Sequence, residues 1–139
     1  MKTRFSSLVT LKKSAMEKSE RSLQGANADL NSATMALELS YNTLNQLSLP
    51  QTGKISQLLS SISLLDSQRA TIEQNKEWID FAKNQVIQAK QKLKSDMIEH
   101  EKFKYLELEE IKKFLKEQMI KESKDLDEIA LMTHARNKK

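Results

Sequence analysis

The chain has 139 residues, 38% hydrophobic, 5% aromatic and 30% charged, with two glycines, one proline and a net charge of +4. That apolar content is thin for a globular core of this size and suits long helices with a narrow apolar seam, so the expected class is all-α. Without cysteine there is no disulfide framework, thiolate nucleophile or Cys-based zinc site, in keeping with a reducing compartment.

The N-terminal "MKTRFSSLVTLKK" lacks an uninterrupted apolar core and a small-residue cleavage site, and no stretch approaches the roughly 20 apolar residues that cross a bilayer. A soluble, cytoplasmic chain is expected. A first helix over about 3–47 is predicted by apolar and small residues at alternating three- and four-residue steps, the spacing that keeps one stripe facing a partner helix. The steps run through Phe5, Val9, Lys12, Met16, Ser19, Leu23, Ala26, Leu30, Ala33, Leu37, Ser40, Leu44 and Leu47. Gly25 reads as a small residue that permits close helix approach at some cost in helix stability.

Residues 48–54, "SLPQTGK", hold the only proline, Pro50, and the second glycine, Gly53. Proline cannot continue a helix and glycine tolerates positive φ, so the chain reverses here. A second helix over about 55–135 resumes the pattern at Ile55, Leu58, Ile62, Leu65, Arg69, Ile72, Lys76 and Ile79, then Ala82, Val86, Ala89 and Leu93. The whole chain, 1–139, reads as a single antiparallel coiled-coil domain of two long helices.

Helices of roughly 65 Å and, if unbroken, on the order of 125 Å leave about 40 residues to overhang, fold back or kink. The spacing leaves open whether the second helix is continuous past Leu93. The hairpin would bring the basic termini, with Lys2, Arg4, Arg136, Lys138 and Lys139, to one end. From about Ile98 the surplus keeps an apolar stripe of Phe103, Leu108, Ile111, Leu115, Met119, Leu126 and Ile129, with Glu109–Lys113 and Glu117–Lys121 pairs on the exposed side. An unpaired stripe seeks a partner; self-association is the plain alternative. The stretch Ser22 to Leu65 is almost uncharged and reads as a docking surface or a soluble tip.

Catalytic patterns are missing. Asp96 and His100 are four apart on a helix, but the inward carboxylates and Glu-x-x-His pairs of a ferritin-like site are not there, and a solvated histidine is expected. No serine sits in a nucleophile elbow, and "LQGAN" around Gly25 lacks the second glycine and lysine of a phosphate loop. The reading is no enzyme, no cofactor and no metal. Basic and acidic residues alternate from Arg69 onward, a solvated face rather than a nucleic-acid surface. Trp78, one position off Ile79, reads as flanking the core rather than as a binding hot spot.

The C-terminal "KESKDLDEIALMTHARNKK", with Leu126, Asp127, Glu128 and Ala130 and then Arg136 before a basic end, resembles the end of the FliJ family of flagellar type III export proteins and their YscO-like counterparts. The "FSSLVTLKKSAMEKSE" opening, the length and the unequal hairpin also match. The resemblance implies an antiparallel coiled coil like that of the ATP synthase γ subunit, acting as a non-enzymatic central stalk in the hexameric ring of the export ATPase. It further implies binding to the cytoplasmic domain of the export-gate membrane protein, escort of export chaperones in some members, and a place at the cytoplasmic face of the membrane through those partners. On it, the converging termini would enter the ring, with Leu126, Asp127, Glu128, Ala130 and Arg136 in or near that contact. An Ile-Glu-Gln resembling Ile72, Glu73 and Gln74 puts Leu64, Gln68, Thr71 and Asn75 on the gate face. The alternative reading is an unrelated structural, self-associating coiled-coil scaffold.

Overall fold

The computed structural model describes residues 2–137, all of whose regular structure is two helices, α1 (Ser6–Gln46) and α2 (Ile55–Asn137). They pack against each other as a helical hairpin. The contacts cluster in two units: the N-terminal segment to Met16 with α2 from Asp96 onward, and Glu17 to Ser95.

Thr3 and Ser6 start α1. The Phe5 amide donates to Thr3 Oγ1 at 3.1 Å, and the Thr3 amide donates back to Ser6 Oγ at 2.8 Å. This is a reciprocal cap with serine where glutamate often stands, and it sets the first regular turn a few residues later than the seam alone predicts. α2 starts where Lys54 accepts from the Gln57 and Leu58 amides at 3.0 and 3.3 Å. Just before it Gly53 lies at φ +139°, a backbone angle costly for any residue with a Cβ.

In the second unit the seam of α1 is as read: Ser19, Ala33 and Ser40 are buried and the intervening seam positions half-buried. On α2 the register differs from the one expected. Arg69 and Lys76 point outward, and the inward positions are Gln68 and Asn75, in the strict series Leu65, Gln68, Ile72, Asn75, Ile79, Ala82, Val86. The apolar members of both series coincide, so the choice falls to the polar ones. A primary amide can satisfy itself on a facing carbonyl, whereas a buried cation needs a counter-charge. The core proper is Ala33, Ile72, Ala82 and Val86, and among the described residues no large side chain is fully buried. At the tip Ile55, Leu58 and Ile62 are exposed. The register that sets Gln68 against Ser40 runs α1 out near Leu65, so these turns meet the irregular segment after Gln46 instead of a helix.

In the first unit Phe5, Val9 and Met16 of the N-terminal arm are half-buried, as are Phe103, Leu106 and Ile111 of α2. Arg4 reaches Glu110 at 3.7 Å, and Lys12 reaches Glu99 at 3.8 Å while lying 5.7 Å from the Phe103 ring centroid. Phe103 and Ile111 therefore pair with α1 and do not overhang. Lys113, Phe114 and Glu117 still line a hollow with Lys2, Thr3 and Arg4, so the unpaired part begins after Glu117, later than Ile98, because α2 spends its first turns beyond the end of α1. From Lys112 to Asn137 every residue is exposed, and α2 runs unbroken past Leu93. The termini consequently do not converge: Arg4 sits beside Glu110, while Arg136 is roughly 39 Å of helix further along. Lys138 and Lys139 lie outside the described residues. Glu109 is met by Lys112 at 3.8 Å, one position short of the expected Lys113.

Gly25 is exposed, and a Cβ there would meet nothing within 4 Å, so it permits no close approach. Gly25→Ala should raise stability by about 0.5–1 kcal/mol through helix propensity alone, read as a higher Tm in circular dichroism. Thr3→Ala should cost about 1 kcal/mol by uncapping α1.

Candidate functional site

The most specific polar geometry lies in the middle of the second unit. Ser40 is buried, and its hydroxyl donates to the Ala36 carbonyl of its own helix at 2.8 Å. With that proton committed, the oxygen is free to accept, and the Asn75 side-chain amide donates to it and to the Ala36 carbonyl at 3.2 Å. One turn away Gln68 Nε2 donates to the Ser40 carbonyl at 2.9 Å. Two amides of α2 thus clasp one turn of α1. Apolar side chains tolerate sliding past one another, whereas this set of bonds closes at a single vertical position, so the clasp fixes register.

Leu64, Gln68, Thr71 and Asn75, read together as one face, are divided by the structure. Gln68 and Asn75 turn to α1, while Leu64 and Thr71 are exposed on one flank. Trp78, seven residues after Thr71, lies on that same flank and is 41% exposed, with Phe81 beyond it at 62%. On the other flank Lys76 reaches Glu73 at 3.3 Å. Its ammonium is held above the ordinary lysine range, first by its hydrogen bond to Glu73 and then by Tyr41, so it stays charged at neutral pH.

The five C-terminal candidates occupy the last three turns of α2. Leu126, Asp127, Glu128, Ala130 and Arg136 are all exposed, with Leu126 and Ala130 on one face, four residues apart. Exposed Ile129, Leu131 and Met132 lie among them. His134 and Arg136 in the final turn oppose the partial negative charge of the helix end.

His100, expected in solvent, is buried in the first unit at a seam position seven residues after Leu93. Alternation carried forward from Ala89 and Leu93 reaches His100, and carried back from Val86 and Ala82 it reaches Asn75 and Gln68, whereas counted forward from Ile55 it reaches Arg69 and Lys76. Among the described residues no three His, Asp or Glu side chains gather into a metal-holding group, and no helix is long and apolar enough to cross a membrane.

A bent-back pair of helices with a bare C-terminal extension is a common outline, and sequence comparison narrows it. The family model for the flagellar FliJ protein matches residues 1–139, the whole chain. The chain belongs to the FliJ family. Membership places it in flagellar protein export, in a family that is a non-catalytic component of that apparatus. No curated protein and no solved structure matches it.

Removing the clasp should be costly and cooperative. Asn75→Ala or Ser40→Ala should each lose about 1–2 kcal/mol in urea unfolding, and the double variant should fall short of the sum by at least about 0.5 kcal/mol. The exposed Thr71→Ala should stay within about 0.5 kcal/mol of wild type.

Proposed function

We propose that this FliJ-family chain is a stalk of the export ATPase ring that couples the ring to the cytoplasmic domain of the export-gate membrane protein and escorts export chaperones. The observation that carries the reading is the C-terminal extension of α2, which family membership sets in the export apparatus. Beyond Glu117 α2 continues to Asn137 with every residue exposed and, among the described residues, none packed against α1. It keeps Leu126, Ile129, Leu131 and Met132 in water at a hydration cost that a ring of subunits would remove.

In this reading Leu126 and Ala130 pack against ring subunits, while Asp127, Glu128 and Arg136 supply charge contacts that select the subunit conformation. A two-helix insert in a six-fold ring touches only some subunits at once, and by binding one conformer better than another it shifts the populations that turn over ATP. The gate contact falls to Leu64 and Thr71, the exposed members of the four gate candidates. Gln68 and Asn75 serve it indirectly, by holding the register that presents their neighbours. The chain's place at the cytoplasmic face of the membrane follows from these partners.

ATP hydrolysis by the cognate export ATPase, titrated with this protein, tests the reading. The rate should rise with added chain, and a version truncated before Leu126 should lose the stimulation while keeping its helical circular dichroism. A rate indifferent to the full-length chain overturns the stalk assignment.

A further inference from the structure

The charges on α2 between Leu64 and Val86 obey a simple rule. Residues that follow a seam position are charged: Asp66, Arg69, Glu73, Lys76, Asp80 and Lys83. Residues that precede one are not, and these include Leu64, Thr71, Trp78, Phe81 and Gln85. Since a helix turns about 100° per residue, the two sets lie on opposite flanks of the seam. All the charge is on one flank except Glu77, which sits on the back.

On α1 both flanks of the seam are nearly uncharged between Leu30 and Leu44: Asp29 is the one charged residue that precedes a seam position and Glu38 the one that follows. In antiparallel packing like flanks adjoin, the residues that follow one seam lying beside those that follow the other. The opposite flanks adjoin in turn. They form one face on which Leu39, Leu64 and Phe81 are 64%, 58% and 62% exposed and Trp78 41%.

We propose that this neutral flank is a self-association surface on which a second copy of the chain docks face to face. The charge pattern argues for that occupant. A basic or acidic partner gains no counter-charge here, whereas a face that carries almost no charge meets its own copy with no ionic group to desolvate beyond Asp29, while the chain's net +4 stays outside the contact. The area agrees. Leu64 to Gln85 rises about 32 Å, and two helix widths give roughly 600 Å² per copy, or about 1,200 Å² in all, the lower edge of specific interfaces. A contact of that size suits a reversible pairing, anchored by Trp78 and Phe81 as its large aromatics. The inference does not depend on the stalk reading; where the gate uses Leu64 and Thr71, gate and second copy compete.

Sedimentation velocity of the full chain from roughly micromolar to millimolar concentration tests it, with fluorescence of the single tryptophan followed over the same range. The expected result is a monomer–dimer equilibrium whose midpoint coincides with a blue shift of Trp78 emission. Phe81→Lys and Leu64→Glu, both at exposed positions and each checked for helicity, should weaken it at least about tenfold, while Met119→Asp on the C-terminal extension should not. A chain monomeric throughout overturns the proposal, as does a dimer lost in Met119→Asp but kept in Phe81→Lys. Trp78 emission that moves only when the gate's cytoplasmic domain is added also overturns it, and assigns the flank to that partner.

Discussion

Two helices alone cannot seal a core. Each seam side chain has a facing helix on one side and water on both flanks, so burial goes mainly to small residues, Ser19, Ala33, Ser40 and Ala82, with Ile72, Val86 and His100 the larger ones among the described residues. Small seam residues let the helices approach but give them little shape by which to recognise one another. The hairpin therefore depends on the hydrogen bonds from Asn75 and Gln68 to the turn of α1 at Ala36 and Ser40. That clasp couples the two arms: it decides where α1 runs out against α2, hence how many turns are exposed at the tip and how much of α2 remains beyond Glu117.

The functional surfaces follow from that register. With Arg69 and Lys76 in the seam, every side chain of α2 in this stretch would rotate, and the charged and neutral flanks would lose their separation. With Gln68 and Asn75 there, the lysines and arginine fall beside the acidic residues that follow Leu65, Ile72 and Ile79, and pairs such as Arg69–Asp66 and Lys76–Glu73 close along one flank. Exposed pairs of this kind contribute little to stability. Their effect is to gather charge away from Trp78 and Phe81, which is a matter of recognition rather than of folding energy.

Much of this was legible in the sequence. The strict seam of α1, the reversal at Pro50 and Gly53 and the helical class follow from periodicity and backbone chemistry, and α1's seam positions are inward as spaced. What periodicity missed is where polar residues compete for one seam position. Hydropathy treats Gln68 and Arg69 as equally unsuited, and only their hydrogen-bonding chemistry separates them: an amide can bond a facing carbonyl, a guanidinium must find an anion. The extent of the extension was misjudged because arm lengths were compared from the turn, whereas pairing begins where α1 ends. The C-terminal candidates Leu126 to Arg136 were legible only through family likeness, since an exposed helix of alternating charge carries no local mark of what it touches.

The clasp and the C-terminal extension also differ in what a substitution can reach. Ser40, Gln68 and Asn75 are bonded across the two helices, so a change there propagates through register to both flanks. Beyond Glu117 the exposed end of α2 rests on its own backbone bonds and on side chains of its own helix. Isolated helices gain most of their stability from packing, so this segment is the least stabilised part of α2 in the absence of a partner. A partner that covered Leu126 and Ile129 would supply the missing contacts and order the end of the helix as it bound. The energy of docking would then be spent partly on helix formation, giving a contact that is specific yet readily released.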